Sequence, residues 1–205
     1  MDANYPIMVR LDGKIVVVVG GGRVAERKIS SLLDTGARVV VISPSATDEI
    51  QRLSLEGTIL WKQKAIAAED LQEAFLIFAA TADKEVNQWV KSLAGEHQLV
   101  TIADDPEGSD FHVPAHFKRG RLSMAVSTGG ASPTLARKIR EQLEGQFDEK
   151  YEAYLDFLSA TRNWILKEVE DPSLKKKLLT VIVSDAFLNS STRVTDFQRI
   201  YDEMK

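Results

Sequence analysis

No cysteine occurs among the 205 residues. That absence excludes disulfide bonds, iron–sulfur clusters and thiolate zinc sites, and it fits a reducing cytoplasm. Histidine is nearly as scarce. His97, His112 and His116 are scattered, and isolated imidazoles do not make a preformed metal site, so none is expected. Long apolar runs are also missing: the longest, Ile15–Val19, is strand-sized and far short of the ~20 residues that cross a bilayer. The stretch Met1–Asp12 carries acids and a proline rather than the apolar core of a secretory signal. A soluble cytoplasmic protein with no membrane partner is the expectation. Excess positive charge is lacking too, and a formal net charge of −4 argues against a nucleic-acid partner, which needs a basic surface.

What is present reads as an ordinary globular chain, with 44% hydrophobic and 27% charged residues. Residues 14–103 alternate short apolar runs with helical patterns, the mark of a parallel sheet with crossover helices. Strands are predicted at Lys14–Val19, Arg38–Ile42, Ile59–Gln63, Leu76–Ala80 and Leu99–Ala103. The spacing of Val24, Ile29, Leu32 and Leu33 predicts a helix over Arg23–Thr35, closed by Gly36. That of Val86, Trp89, Val90 and Leu93 predicts another over Lys84–Glu96. The pattern changes after Ala103. Asp104–Asp110 is acidic and turn-rich; Phe111–Phe117 and Leu122–Ser127 read as a hairpin joined by a basic loop, Lys118–Arg121. Ser132-Pro133 opens a helix to about Glu144, and helices with breaks near Asp171-Pro172 and Asn189–Ser191 fill the rest. Phe157, Leu158, Trp164, Ile165 and Leu166 suggest a buried helical face.

One motif carries chemistry. Gly20-Gly21-Gly22-Arg23-Val24-Ala25 has the form G-x-G-x-x-A between a buried strand and a helix. Gly20 permits the sharp exit from the strand, Gly22 lets a pyrophosphate approach the backbone, and Ala25 allows close packing of helix on strand. Phosphates would then meet free N–H groups at the positive end of the helix dipole. The second strand ends in Ser43-Pro44-Ser45, where an NAD site usually places an acidic residue for the adenosine ribose. No arginine follows to favour a 2′-phosphate, so NAD is the expected cofactor. Thr81, after the fourth strand, falls on the same edge of the sheet. The candidate cofactor contacts are therefore Gly20, Gly21, Gly22, Arg23, Val24, Ser43, Pro44, Ser45 and Thr81.

Four motifs stand in order: Gly20–Lys28, Ala79-Ala80-Thr81, Ala103-Asp104-Asp105-Pro106, and Ala125-Val126-Ser127-Thr128-Gly129-Gly130-Ala131-Ser132-Pro133. Together, over roughly Tyr5 to Glu144, the chain resembles the precorrin-2 dehydrogenases of sirohaem synthesis, and most closely their single-function bacterial form. Thr101, where asparagine is common, and Gly108-Ser109, where a bulkier pair is common, depart from the pattern. The resemblance implies NAD-dependent conversion of precorrin-2 to sirohydrochlorin by a cytoplasmic homodimer. It further implies a Rossmann-type α/β domain over residues 1–112, a β-hairpin and helix dimerisation region over 113–146, and a helical C-terminal domain over 147–205. Some members of the family also insert ferrous iron; an NAD-sensing module without turnover is the rival from another class.

The same resemblance marks Asp104, His116 and Ser123 as candidate catalytic residues. A carboxylate at Asp104 can accept a pyrrole-type proton or stabilise a cationic macrocycle; capping the turn before Pro106 is the bland alternative. Precorrin-2 is an octacarboxylate, so a chain of net charge −4 needs local positive groups. Lys118, Arg119, Arg121 and Arg137 are the candidates, with Lys138 and Arg140 nearby. Ser127, Thr128 and Gly129, before the helix at Ser132, are candidates for polar and backbone contacts to one carboxylate.

Overall fold

The computed structural model describes residues 4–205, and the chain divides between Val113 and Pro114 into two compact units. The first three residues of the stretch inspected for a secretory signal lie outside the described residues.

In the first unit β1 (Ile15–Val19), β2 (Arg38–Ile42), β3 (Leu60–Lys62), β4 (Leu76–Ala79) and β5 (Leu99–Ile102) form one parallel sheet in the order β3-β2-β1-β4-β5. Helices α1 (Arg23–Ser30), α2 (Asp48–Leu55) and α3 (Lys84–Leu93) cover it. Val16 and Val18 of β1 pack with Ala25 and Ile29 of α1 and Ile50 of α2. Val17 and Val19 join a second core with Leu71 and with Val90 of α3. Alternate valines thus enter opposite apolar layers, which is why β1 reads as a run rather than an alternation. Full burial of each contributes about 1.5 kcal/mol or more.

Three expectations need correction here. α1 stops at Ser30, and a separate 3₁₀ turn spans Leu33–Thr35 before Gly36 at φ 73°. The hydroxyls of Ser30, Ser31 and Thr35 donate to the carbonyls of Glu26, Lys28 and Leu32, an alternative to continuing the helix ladder. Val24 is exposed rather than core. On α3, Trp89 sits at the edge of the apolar stripe and is 42% exposed, while the polar Asn87 is fully buried.

In the second unit β6 (Ala115–Arg119) and β7 (Leu122–Val126) pair antiparallel, and α4 (Pro133–Gln146) packs on them. Ser132 caps α4 by accepting from the Leu135 amide, with Pro133 in the first turn. Helices α5 (Lys150–Glu168), α6 (Pro172–Val181), α7 (Asp185–Asn189) and α8 (Arg193–Met204) enclose a core of Tyr154, Ile165, Leu178, Phe187 and Phe197. The first hairpin strand begins at Ala115, not Phe111. Pro114 has no N–H to give a ladder, and Phe111 belongs to the first unit, its ring edge-on to Phe78 at 5.4 Å. The connection is also tighter than predicted. Arg119 pairs with Leu122, so only Gly120 and Arg121 turn, with Gly120 at φ 51°. On α5 three consecutive residues cannot share one face: Ile165 is fully buried, while Trp164 and Leu166 on either side of it are exposed. Among the described residues no helix is long and apolar enough to cross a membrane.

Candidate functional site

The chain builds β1, β2 and β3 outward in one direction, then returns to set β4 on the other side of β1. At such a reversal the connections leaving the two central strands diverge and open a crevice at their carboxyl ends. The crevice here is a cavity of about 740 Å³. Gly20, Gly21, Gly22, Arg23, Val24, Ser43, Pro44, Ser45 and Thr81 all line it. Ala65 and Ile66, from the loop after β3, and Val86 of α3 add apolar wall. Ala65 and Ile66 carry no local pattern that marks them as cavity lining.

The three glycines have different reasons to be glycine. Gly20 sits at φ 122°, and a Cβ there would meet the Ala80 carbonyl oxygen at 2.4 Å. A Cβ on Gly21 would lie 2.0 Å from the Ser45 carbonyl oxygen. That close approach is fixed by the Thr47 amide, which donates to the Gly21 carbonyl at 2.9 Å. Gly22 differs: a Cβ would meet nothing within 4 Å, because it would project into open space. Gly22 is also the N-cap of α1 and offers no side-chain acceptor to the first-turn amides. Those N–H groups have no intrahelical partner, and the dipole adds partial positive charge. The turn therefore fits a pyrophosphate, held by backbone amides where a side chain would intrude.

At the end of β2 the Ser43 carbonyl accepts from the Trp61 indole N–H at 3.0 Å, and the Pro44 carbonyl from the Gln63 amide group at 3.3 Å. The nearby loop is clamped by Asp70, whose side chain is only 3% exposed. Its carboxylate accepts from Lys64 at 2.7 Å, Lys62 at 3.1 Å and the Ala67 amide at 3.1 Å. Burial alone would raise the Asp70 pKa, but these donors outweigh it and hold the carboxyl below its ordinary range. A depressed folded pKa stabilises above the unfolded value and loses that contribution as pH falls through the folded one. Asp70→Asn is therefore expected to cost about 1–2 kcal/mol near neutrality. Denaturant melts should show the gap between variant and parent shrinking once pH drops below about 4.

Asp104 lies two residues beyond β5 and is exposed. The loop from Asp104 to Asp110 is strapped to α3 by three side chains. Asn87 donates to the Asp104 carboxylate at 3.1 Å, Gln88 to Asp105 at 2.7 Å, and Lys91 pairs with Asp110. The turn-capping role falls to Asp105, which accepts from the Gly108 amide at 3.0 Å. That bond, followed by the one from Gln88, holds the Asp105 carboxyl below its ordinary pKa. Asp110 is also lowered: burial opposes the shift, and Lys91 with the Val100 amide prevails. Asp104 accepts no such backbone bond among the described residues. Asn87 also bonds Thr81 on the cavity wall, so Asp104 is tied to the crevice through one buried amide.

The other candidate residues lie in the second unit. Strand alternation puts His116, Lys118 and Ser123 on one exposed face of the hairpin, Lys118 directly opposite Ser123. Arg119 points the other way and pairs with Glu144 at 3.3 Å, and Arg121 pairs with Asp156 at 2.9 Å. The two arginines do not form one free basic loop with Lys118. Arg137 is exposed on α4. In the loop before α4, the Ser127 hydroxyl accepts from the Gly129 amide and the Thr128 hydroxyl from the Ser132 amide. The Gly129 amide, a candidate for contact with a substrate carboxylate, is thus already engaged. Among the described residues no group of three or more His, Cys, Asp or Glu side chains is arranged to hold a metal.

Residues 7–115 match the family model described as putative NAD(P)-binding, and residues 119–146 match the central region of sirohaem biosynthesis proteins. The precorrin-2 dehydrogenase of Priestia megaterium is 38% identical over 98% of this chain and 100% of its own length. The chain belongs to the precorrin-2 dehydrogenase family. The solved structure of SirC, a precorrin-2 dehydrogenase, superposes with a TM-score of 0.83 at 38% identity, covering 98% of this chain and all of the other. Siroheme synthase 3 of Aeromonas hydrophila is 39% identical over 77% of this chain, but the match spans 34% of that longer protein. Membership of the family accounts for the α/β sheet, the small antiparallel hairpin and the helical C-terminal region as one architecture.

Proposed function

We propose that this chain is an NAD-dependent precorrin-2 dehydrogenase, which removes two hydrogens from precorrin-2 to give sirohydrochlorin. The observation that carries the reading is the glycine bend at the strand reversal, open at Gly22 and joined through Thr81 and Asn87 to the carboxylate of Asp104. Bound in the crevice, NAD supplies a hydride acceptor. The first-turn amides of α1 would grip its pyrophosphate, and the apolar wall of Ile66 and Val86 would exclude water around it. The second hydrogen leaves as a proton, and Asp104 is the residue assigned to receive it.

His116, Ser123 and Lys118 form the polar face assigned to the substrate, the cation meeting its carboxylates and the neighbouring side chains aiding proton movement. Arg119, Arg121, Arg137, Ser127, Thr128 and Gly129 belong to the same assignment. Residues 1–112 carry the cofactor site, 113–146 the dimer contact and 147–205 a helical domain in this reading. A homodimer is supported by the hairpin, a sheet of two strands whose outer edges are open to pairing.

Anaerobic incubation with precorrin-2 and NAD tests the reading. One NADH should form for each sirohydrochlorin, with no product when NAD is withheld. Product formation indifferent to NAD would refute it. Ferrous iron added to purified sirohydrochlorin, without NAD, measures chelatase activity separately.

A further inference from the structure

We infer that Asn87 is a positioning residue for the dehydrogenation, holding the carboxylate of Asp104 in register with Thr81 on the cofactor wall. The inference rests on the function proposed above and assigns a part to a residue in neither the glycine motif nor the candidate set.

Asn87 is fully buried on α3, and it is the only asparagine in the buried part of the described structure. A buried primary amide is costly unless its donors and acceptor find partners. Here they do. Its oxygen accepts from the Thr81 amide at 3.1 Å and the Thr81 hydroxyl at 2.8 Å. Its nitrogen donates to the Thr81 carbonyl at 3.2 Å and to Asp104 Oδ1 at 3.1 Å. The partners fix which end is which: a main-chain N–H needs an acceptor, and a carbonyl needs a donor. The second N–H is thereby aimed at Asp104, where only an acceptor oxygen can receive it. Leucine or valine would fill the same space at lower cost in a structural helix, whereas this amide joins the exit of β4 to the exit of β5.

One consequence follows for chemistry. The carboxylate loses rotational freedom, so a proton acceptor is held at a set distance from the wall where the cofactor lies. Four other charged groups on the adjoining segments, Asp83, Asp105, Lys91 and Asp110, have partners of their own. The Asp83 carboxylate accepts from the amides of Glu85 and Val86, Asp105 is held by Gln88 and Gly108, and Lys91 by Asp110.

The test uses Asn87→Asp, near-isosteric, which keeps an acceptor for the Thr81 amide and replaces the donor facing Asp104 with a second carboxylate. The Asp104 carboxyl, followed by ¹³C NMR without cofactor and assigned by its loss in Asp104→Asn, should titrate about 1 pH unit or more higher. The acid limb of the kcat profile should move the same way, kcat near neutrality should fall about tenfold, and the KM for NAD should stay close to that of the parent. Asn87→Ser, too short to reach Asp104, should lower kcat similarly without the alkaline shift, and it keeps the test alive should the charged variant fail to fold. In an Asp104→Asn background neither substitution should lower kcat further. Equal losses with and without Asp104, or an unmoved carboxyl titration in Asn87→Asp, would overturn the inference. Absence of NAD-dependent turnover in the parent would instead overturn the proposed function, leaving the titration result to stand by itself.

Discussion

Gly22→Val should leave the melting temperature almost unchanged while weakening NAD binding by about 100-fold, or about 2.7 kcal/mol. The fold tolerates it because Gly22 has ordinary extended backbone at φ −86° and its missing Cβ faces open space. The cofactor does not tolerate it, because that space is where a pyrophosphate must approach the amides. Hydrogen bonds to a charged group contribute about 1.5–3 kcal/mol each, so displacement from one or two of them accounts for the loss. Gly21→Ala should behave in the opposite way. Its Cβ would sit 2.0 Å from main-chain oxygen, forcing the turn and the loop at Ser45 apart, with a stability loss of about 3 kcal/mol. Calorimetric titration and thermal melts on the two variants separate the roles. Equal affinity in Gly22→Val would mean that the dinucleotide does not lie over this turn.

Asp104→Asn should lower kcat by about 100-fold or more and leave NAD affinity near the parent value. The neutral amide keeps the size of the side chain, and its oxygen can still accept from the N–H of Asn87, but it cannot take up a proton. Small exogenous carboxylates such as formate should restore part of the rate to Asp104→Ala if proton acceptance is the role. Stabilising a cationic macrocycle from a fixed position would give no such rescue. A kcat within a few-fold of the parent in either variant would remove Asp104 from the chemistry.

The parallel sheet and the glycine bend were both legible because each rests on a local rule. The run Ile15–Val19 can only be a strand buried on both faces, and the small residues after it have steric reasons that hold at short range. The distinction between Gly21 and Gly22 was not legible, since the Ser45 carbonyl that confines Gly21 arrives from a separate βα loop. Asn87 was missed for the opposite reason. One polar residue among several in an amphipathic helix reads as solvent-facing, and only the positions of Thr81 and Asp104 turn it into a buried link. Asp70 was similarly silent, its role depending on two lysines from the preceding strand and loop.

Beyond Ala103 local patterning misled in two places. Phe111 continued an apparent strand but instead packs on Phe78, so the hairpin begins only after Pro114. The cluster Lys118–Arg121 read as one basic loop, yet strand alternation sends Lys118 and Arg119 to opposite faces, and Glu144 and Asp156 engage the two arginines. Charge clusters in sequence do not predict a shared direction. The helix start at Ser132-Pro133 was legible, because capping chemistry is local.

A crystal structure of the protein with bound NAD tests the account most directly. It should place the pyrophosphate against the amides that follow Gly22, with the nicotinamide ring running toward Thr81 and the side of the crevice tied to Asp104. Density for the dinucleotide elsewhere, with that bend empty, would contradict the assignment of cofactor, proton acceptor and positioning amide together.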